Sequence, residues 1–454
     1  MNRLEIQSTF ALASIFALRM LGLFMIIPVF AVAGQQYTSA TPFLLGFAIG
    51  IYGLTQAVFQ IPFSLWADRY QRKWLIIIGL ILFAVGGAIA ALSTSIYGVI
   101  IGRAIAGAGA VSAVVMALLS DVTREEQRSK AMAMIGMSIG LSFMLAFGLG
   151  PFVTAKIGLS GLFWLTTVMA IVAMFMLFLV PNVQRHHRQI RQSYRTQLAE
   201  VLKMPDLNRL HISIFVLHLL LTAMFVYIPS QLMTYADIPL DKQGWVYLPL
   251  MVVSLFFAFP SIILAEKYRK MREIFLVAVL CIVIGLAVMA FAQSYHYALL
   301  VGVAFFFISF NVMEALLPSW LSKAAPLQSK STAMGINSSS QFLGSFFGGS
   351  LGGMLLHLNN TTLGWSLLAG IAIMWLLGML QIRQPRYLSS VVVQLPTVAQ
   401  DLNVWSDNIL EIEGIEEIVI LADKGVAYLK LDKKQLDENA RHRLSQLLQQ
   451  ELAF

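Results

Sequence analysis

The sequence predicts an all-α membrane protein, with twelve transmembrane helices in two six-helix halves and a small α+β domain at the C-terminal end. Three observations carry that prediction. First, the 454-residue chain is 58% hydrophobic and only 12% charged, with a mean hydropathy of +0.77, whereas soluble domains carry roughly 25% charged residues. Second, the apolar residues come in blocks of about 20 or more, the length an α-helix needs to cross the hydrocarbon core. Strand-like alternation is absent from these blocks, and helices are the spanning solution left, since lipid offers backbone groups no partners. Third, the chain repeats itself. Pro62, Asp68 and Arg69 recur as Pro260, Glu266 and Lys267, and Ser129-Lys130-Ala131-Met132-Ala133-Met134 recurs 200 residues later as Ser329-Lys330-Ser331-Thr332-Ala333-Met334.

The expected spans are 9–33, 43–66, 74–93, 96–119, 131–156 and 160–181 in the first half, and 208–235, 243–265, 274–293, 297–321, 330–357 and 362–382 in the second. The domain boundaries follow: 1–181 for the first bundle, 182–207 for a basic linker, 208–385 for the second bundle and 386–454 for the tail domain. Of the 31 Lys and Arg, 21 lie in one set of alternate loops and at both ends of the bundle, while the opposite loops hold only Lys156 and Lys242. The positive-inside rule then places both termini in the cytoplasm. The net charge of +8 reflects this topology and does not point to nucleic acid. A single cysteine, Cys281, excludes an internal disulfide or a cysteine-cluster metal site. No metal or cofactor is expected. No nucleophile constellation or phosphate-binding loop is present, so an enzyme or an ATP-driven pump is disfavoured.

The charged break "WADRYQRKW" at 66–74 carries a more specific signal. With "GRAIAGAG" around Arg103 and "FGLGP" at 147–151, it resembles the signatures of the major facilitator superfamily, and the resemblance extends over residues 8–382. Asp68, Arg69, Arg72 and Lys73 fit the loop after the family's second helix, with Ser64 and Gln71 in place of its glycines. Gly107 resembles part of the fourth-helix motif. Gly150 and Pro151 resemble the fifth-helix antiporter motif, whose terminal glycines are replaced by Thr154 and Ala155. The resemblance implies two rocking bundles around a central substrate site, with the charged loops as a conformational latch: Asp68, Arg69, Arg72, Lys73 and Asp121 in the first half, Glu266 and Lys267 in the second.

Charges within spans are costly and usually face a cavity. Glu314 is the acid that remains once loop and tail residues are set aside, and with His218 it is a candidate proton carrier. Arg19 and Arg103 are the intramembrane cations; they orient an anionic substrate, hold a water network or bond backbone carbonyls. Tyr227, Gln231, Tyr247, Asn311, Asn337 and Gln341 are expected to face the cavity by analogy with the family. The 30 Phe and 22 Met suit a pliable wall for lipophilic ligands. The leading expectation is a monomeric, proton-coupled exporter of lipophilic or amphipathic small molecules in the bacterial inner membrane. A polar-metabolite transporter and a non-transporting sensor that signals through its tail are the alternatives.

In the tail the pattern becomes strand, amphipathic helix, two strands around an Asp-Lys-Gly turn, and a second helix from about Gln435. This order resembles a ferredoxin-like metal-carrier module that lacks its Cys-x-x-Cys. From Tyr387 onward acids outnumber bases by eleven to six, a charge balance suited to contact with the basic loops.

Overall fold

The computed structural model describes residues 1–181, 194–291, 295–326, 329–358, 360–385, 387, 389–395, 402–421, 425–432, 435–436 and 438–448. The first half contains α1 (Arg3–Ala33), α2 (Pro42–Arg69), α3 (Arg72–Leu92), α4 (Ile96–Ala108), α5 (Ser112–Val122) and α6 (Glu125–Met176). A short helix, α7 (Tyr194–Leu202), leads to the second half: α8 (Pro205–Tyr235), α9 (Gly244–Lys267), α10 (Met271–Ala290), α11 (His296–Ala324), α12 (Lys330–His357) and α13 (Thr361–Met379). The basic linker stretch 182–193 lies outside the described residues.

Among the described residues, ten segments are long and apolar enough to cross a membrane, fewer than the twelve expected spans, for two reasons. The segment Lys130–Leu179 runs for 50 residues and reverses at Gly158, whose φ of 68° suits glycine. It therefore contains both the fifth and the sixth expected spans. The span at 330–357 does form α12, but Ser338, Ser339, Ser340 and its glycines make it too polar to count among the ten. Two boundaries also differ from expectation. The first helix starts at Arg3 because Asn2 and Glu5 form a reciprocal cap, with Asn2 Oδ1 accepting from the Glu5 amide at 2.8 Å and Glu5 Oε2 from the Asn2 amide at 2.7 Å. The fourth span breaks after Ala108, where Gly109 lies against the Gly79 carbonyl of α3 with no room for a side chain.

Glycines set how closely the halves approach. One face of α12, at Gly344, Gly348 and Gly352, rests on the α8 backbone at Phe215, Leu219 and Ala223. Its other face, at Gly349 and Gly353, meets Gly46, Pro42 and Phe43 of α2 in the other half. On α6, Gly148 touches Leu248 of α9. These contacts between halves lie toward the end opposite the basic loops. Toward the basic end the picture changes: a Cβ added at Gly136 or Gly140 of α6, or at Gly335 of α12, meets nothing within 4 Å, and Met137, Leu141, Phe256, Phe259 and Ile263 are exposed. The described contacts between the halves thus gather at the end opposite the basic loops.

The tail contains β1 (Ser389–Gln394), α14 (Leu402–Leu410), β2 (Ile415–Leu421), β3 (Val426–Leu431) and α15 (Glu438–Leu448). The sheet is antiparallel in the order β1-β3-β2, with Val391 opposite Leu429 and Ile418 opposite the same residue. Trp405, Ile409, Leu429, Leu431 and Leu444 form its own core. Of the Asp-Lys-Gly turn, Asp423 and Lys424 lie outside the described residues, while Gly425 takes the left-handed φ of 64° that a tight hairpin needs.

A side chain at Gly46 collides with the Gly349 backbone. Gly46→Val is therefore expected to destabilise the closed end by about 1–3 kcal/mol. The check is disulfide trapping between Phe47→Cys and Phe346→Cys in a Cys281→Ser background. The rings of these residues lie 5.7 Å apart, and the trapping yield should fall when Gly46→Val is added.

Candidate functional site: an acid, imidazole and amide beside an aromatic plug

Helices α8, α11 and α12 bring His218, Glu314 and Gln341 together at mid-membrane. His218 Nδ1 lies 3.1 Å from the Ile214 carbonyl. A carbonyl only accepts, so Nδ1 carries the proton and Nε2 is the acceptor. That acceptor receives the Gln341 amide nitrogen at 2.8 Å, and the same nitrogen donates to Glu314 Oε1 at 3.3 Å. The second carboxylate oxygen has no hydrogen-bond partner among the described residues and lies 3.6 Å from His218 Nε2. Two acceptors thus face each other, and one added proton turns that gap into a donor–acceptor contact. The Glu314 side chain is 38% exposed and that of His218 only 6%, so the imidazole lies deeper than the acid, whose second carboxylate oxygen is itself buried.

One helical turn away, the Phe310 ring packs edge-on against His218 at 5.6 Å and stacks on Phe143 of the other half at 5.5 Å. Phe147 of that half meets Phe225 at 4.4 Å and Phe307 at 6.3 Å. These rings lie on the closed side of Glu314 and plug the space between the halves there. Composition foretold aromatic bulk, but this cross-half pairing has no signature in the sequence.

The two arginines sit within the first half. Arg19 of α1 donates to Ser112 Oγ at 2.9 Å, Tyr52 Oη at 2.9 Å and Gln56 Oε1 at 2.5 Å, and is 2% exposed. Arg103 of α4 donates to the backbone carbonyls of Ala48 and Ile49 and lies over the Tyr52 ring. Of the three roles left open for these cations, backbone bonding describes Arg103; Arg19 instead enters a network of side chains that was not among them.

The remaining expected cavity residues mostly join helices of the second half. Tyr247 donates to Gln243 Oε1 at 3.0 Å. Asn311 donates to Ser254 Oγ at 2.6 Å. Tyr227 packs on Trp365. Gln231 and Asn337 are buried, each with an unpartnered side-chain oxygen. Gly107 admits no side chain beside Tyr52 and Thr55, and Gly150, next to Pro151, rests on the Met25 carbonyl.

At the basic end, Arg72 bonds Asp121 and the Ala117 carbonyl, and Lys73 bonds the Val180 carbonyl. In the second half, Glu266 bonds Lys323 and Ser319, and Lys267 lies over the ring of its neighbour Tyr268. The side chains of Asp68 and Arg69 lie outside the described residues. Each of these contacts is made within one half. The loop after Lys267 adds a group that sequence reasoning missed. Arg269, at φ 56°, donates to both carboxylate oxygens of Asp432 in the tail at 2.7 and 3.0 Å. This carboxylate holds the guanidinium above its usual pKa. Lys430 donates to the Ala325 carbonyl at 2.8 Å. The Tyr387 hydroxyl, pushed up to about 12 by burial, donates to the Ala265 carbonyl at 2.7 Å.

Two repeated helical bundles of membrane-spanning length, with aromatic contacts closing the space between them at one end, define a polytopic membrane transport protein. A family model described as Major Facilitator Superfamily matches residues 12–349, and the chain belongs to that family. It is 44% identical over 436 residues to the inner membrane transport protein YajR of Escherichia coli (strain K12), covering 95% of each chain. It is 26% identical over 355 residues to multidrug resistance protein 2 of Bacillus subtilis (strain 168), covering 75% of this chain and 86% of that one. Its fold is shared with a D-xylose-proton symporter at a TM-score of 0.68 and 16% identity, over 82% of this chain and 97% of that one. The protein is a transporter of the inner membrane and not an enzyme.

Asp432→Asn removes the charge opposite Arg269. Limited trypsin digestion is expected to release the tail several-fold faster in this variant, and 0.5 M salt should narrow the difference by screening the wild-type pair.

Proposed function

We propose that the protein is a proton-coupled exporter of lipophilic or amphipathic small molecules working by alternating access, with twelve membrane crossings and both termini in the cytoplasm. The observation that carries the reading is the Glu314–His218–Gln341 group, placed where the space from the basic end stops at the aromatic plug. With the basic end as the cytoplasmic one, the described state is inward-facing. The carboxylate then faces the side from which an exported molecule enters.

The coupling follows from charge. A bare carboxylate in low dielectric favours a bound cation or a proton, and the two compete. Substrate arriving from the cytoplasm displaces the proton. After the bundles rock, a proton from the outside restores the neutral acid and releases the substrate. His218 stabilises the loaded state, because the proton in the 3.6 Å gap is held by both groups. The Phe143–Phe310 and Phe147–Phe225 contacts part as the outer end opens, and the basic ends meet, with Asp68, Arg69, Arg72, Lys73, Asp121, Glu266 and Lys267 as the latch. A coupling of about 1–3 kcal/mol suffices to shift such an equilibrium. The walls near Glu314 are aromatic, which suits apolar and amphipathic ligands, and the relative named as a multidrug resistance protein supports the same class. The tail is read as a ferredoxin-like module that carries no metal and docks on the second half through Asp432 and Lys430. The transporter is read as a monomer without cofactors.

Energised inside-out vesicles test this with a panel of lipophilic cations and neutral amphiphiles. Substrate-triggered proton release is expected in wild type and at least tenfold less in Glu314→Gln. Equal release in the two would remove Glu314 from the coupling role.

A further inference from the structure

The cations of the first half are short of negative charge. Arg19 and Arg103 are 2% and 3% exposed and lie inside membrane-spanning segments. From residue 6 to residue 199 the acids are Asp68, Asp121, Glu125 and Glu126, all at the basic ends of their helices. Glu314 belongs to the other half, where Gln341 donates to it. The partners of the two arginines among the described residues are neutral: hydroxyls and an amide for Arg19, backbone carbonyls for Arg103. Such groups satisfy N–H donors without cancelling a full charge, and an uncancelled charge in hydrocarbon is costly.

The same place is short of acceptors. The Tyr52 hydroxyl accepts from Arg19 Nη2 at 2.9 Å, and its own proton reaches no acceptor among the described residues. Arg103 bonds through Nε and Nη2, which leaves Nη1 for a further partner. Gln56 turns its amide oxygen to Arg19, and its amide nitrogen, like Arg19 Nε, is a buried donor without a partner. A cavity of about 10 Å³ lies here, lined among others by Tyr52 of α2, Phe83 and Gly87 of α3, Arg103 of α4, and Phe163 and Thr166 of α6. That is room for one water molecule or one monatomic ion. Both guanidinium groups stand against rings that line it, Arg103 at 5.7 Å from the centre of the Tyr52 ring and Arg19 at 5.9 Å from that of Phe83. Thr166 gives its proton to the Phe163 carbonyl at 2.7 Å, so the donors left for an occupant are those of Arg103 and Tyr52, beside aromatic rings whose edges are weakly positive.

We propose that this cavity binds a monovalent, monatomic anion of chloride size as the counter-ion of Arg103, with the Tyr52 hydroxyl as a second donor. One such ion meets both shortages at once. A water molecule accepts hydrogen bonds but brings no charge, and a polyatomic anion is too large for the space. The lining comes wholly from the first half, so the ion is a resident of that bundle, holding α2, α3, α4 and α6 around it, and is separate from any cargo carried between the halves. The site does not depend on Glu314 and His218 being the proton site.

Purified full-length protein in detergent tests this. At equal ionic strength, the wild-type Tm is expected to be several degrees higher in sodium chloride than in sodium gluconate, to saturate as chloride is titrated in, and to respond alike to bromide. A Tm indifferent to the anion would overturn the proposal. Arg103→Gln is expected to lose the chloride response whatever its own Tm, and a response kept at wild-type size would place the ion elsewhere and overturn the assignment. Crystals of the wild type grown in sodium bromide read the position without any variant. An anomalous peak beside the Arg103 guanidinium is the expected result, and a water molecule there without anomalous signal would overturn it.

Discussion

A polar group surrounded by hydrocarbon has no water to fall back on, so within the bundles it must be bonded internally, kept beside water or left out. That constraint arranges the rest of this structure. It confines intramembrane charge to a few places and gives each a distinct solution. Arg103 is absorbed by two backbone carbonyls and Arg19 by three neutral side chains, so in the first half the cations bind helices together. Glu314 is treated differently. One oxygen accepts a single long hydrogen bond from Gln341 and the other accepts none among the described residues, while a neutral imidazole offers only a lone pair. The carboxylate is left incompletely satisfied, which sets it apart from the two arginines.

The same constraint explains why one helix carries glycine on two faces. A transporter's halves must touch firmly and still come apart, and no hydrophobic driving force holds helices together in lipid. Close backbone packing supplies the contact without polar bonds that would be hard to break. α12 uses one glycine face against α8 in its own half and the other against α2 across the interface. The aromatic rings of α6, α8 and α11 extend that closure inward to His218. The His218–Glu314 group and the closed end are thus adjacent through Phe310, which touches the imidazole on one side and the opposite half on the other.

At the basic end, where water is available, the bonding rules relax and the chain uses ion pairs. Each half ties its own loop ends together, Arg72 with Asp121 and Glu266 with Lys323. The second half adds a partner from outside the bundle: Arg269 in a left-handed backbone conformation, held by Asp432. The loop that repeats the first half's latch sequence is therefore the one in contact with the tail, which sets the environment of the two repeats apart.

Much of the architecture was legible from sequence because it follows from one-dimensional quantities. Apolar run length, the alternation of basic loops and the 200-residue repeat define two bundles without any contact being known. Glu314 and His218 stood out because a charge or an imidazole in an apolar run is improbable unless it has a use. What sequence could not supply was distance. Nothing in it says that Gln341 bridges His218 and Glu314, that Arg103 turns to carbonyls instead of the cavity, or that Phe143 stacks on Phe310 from the other half. Span 330–357 shows the same limit from another side: its serines and glycines lower its hydropathy, and only the packing explains them as the surface by which α12 approaches two helices at once. The sequence by itself determined the membrane class, the repeat and the rare charges, since these depend on composition and order along the chain. The tertiary structure decided which of those charges are bonded by neighbours and which are not, because that depends on partners 27 to 123 residues apart along the chain.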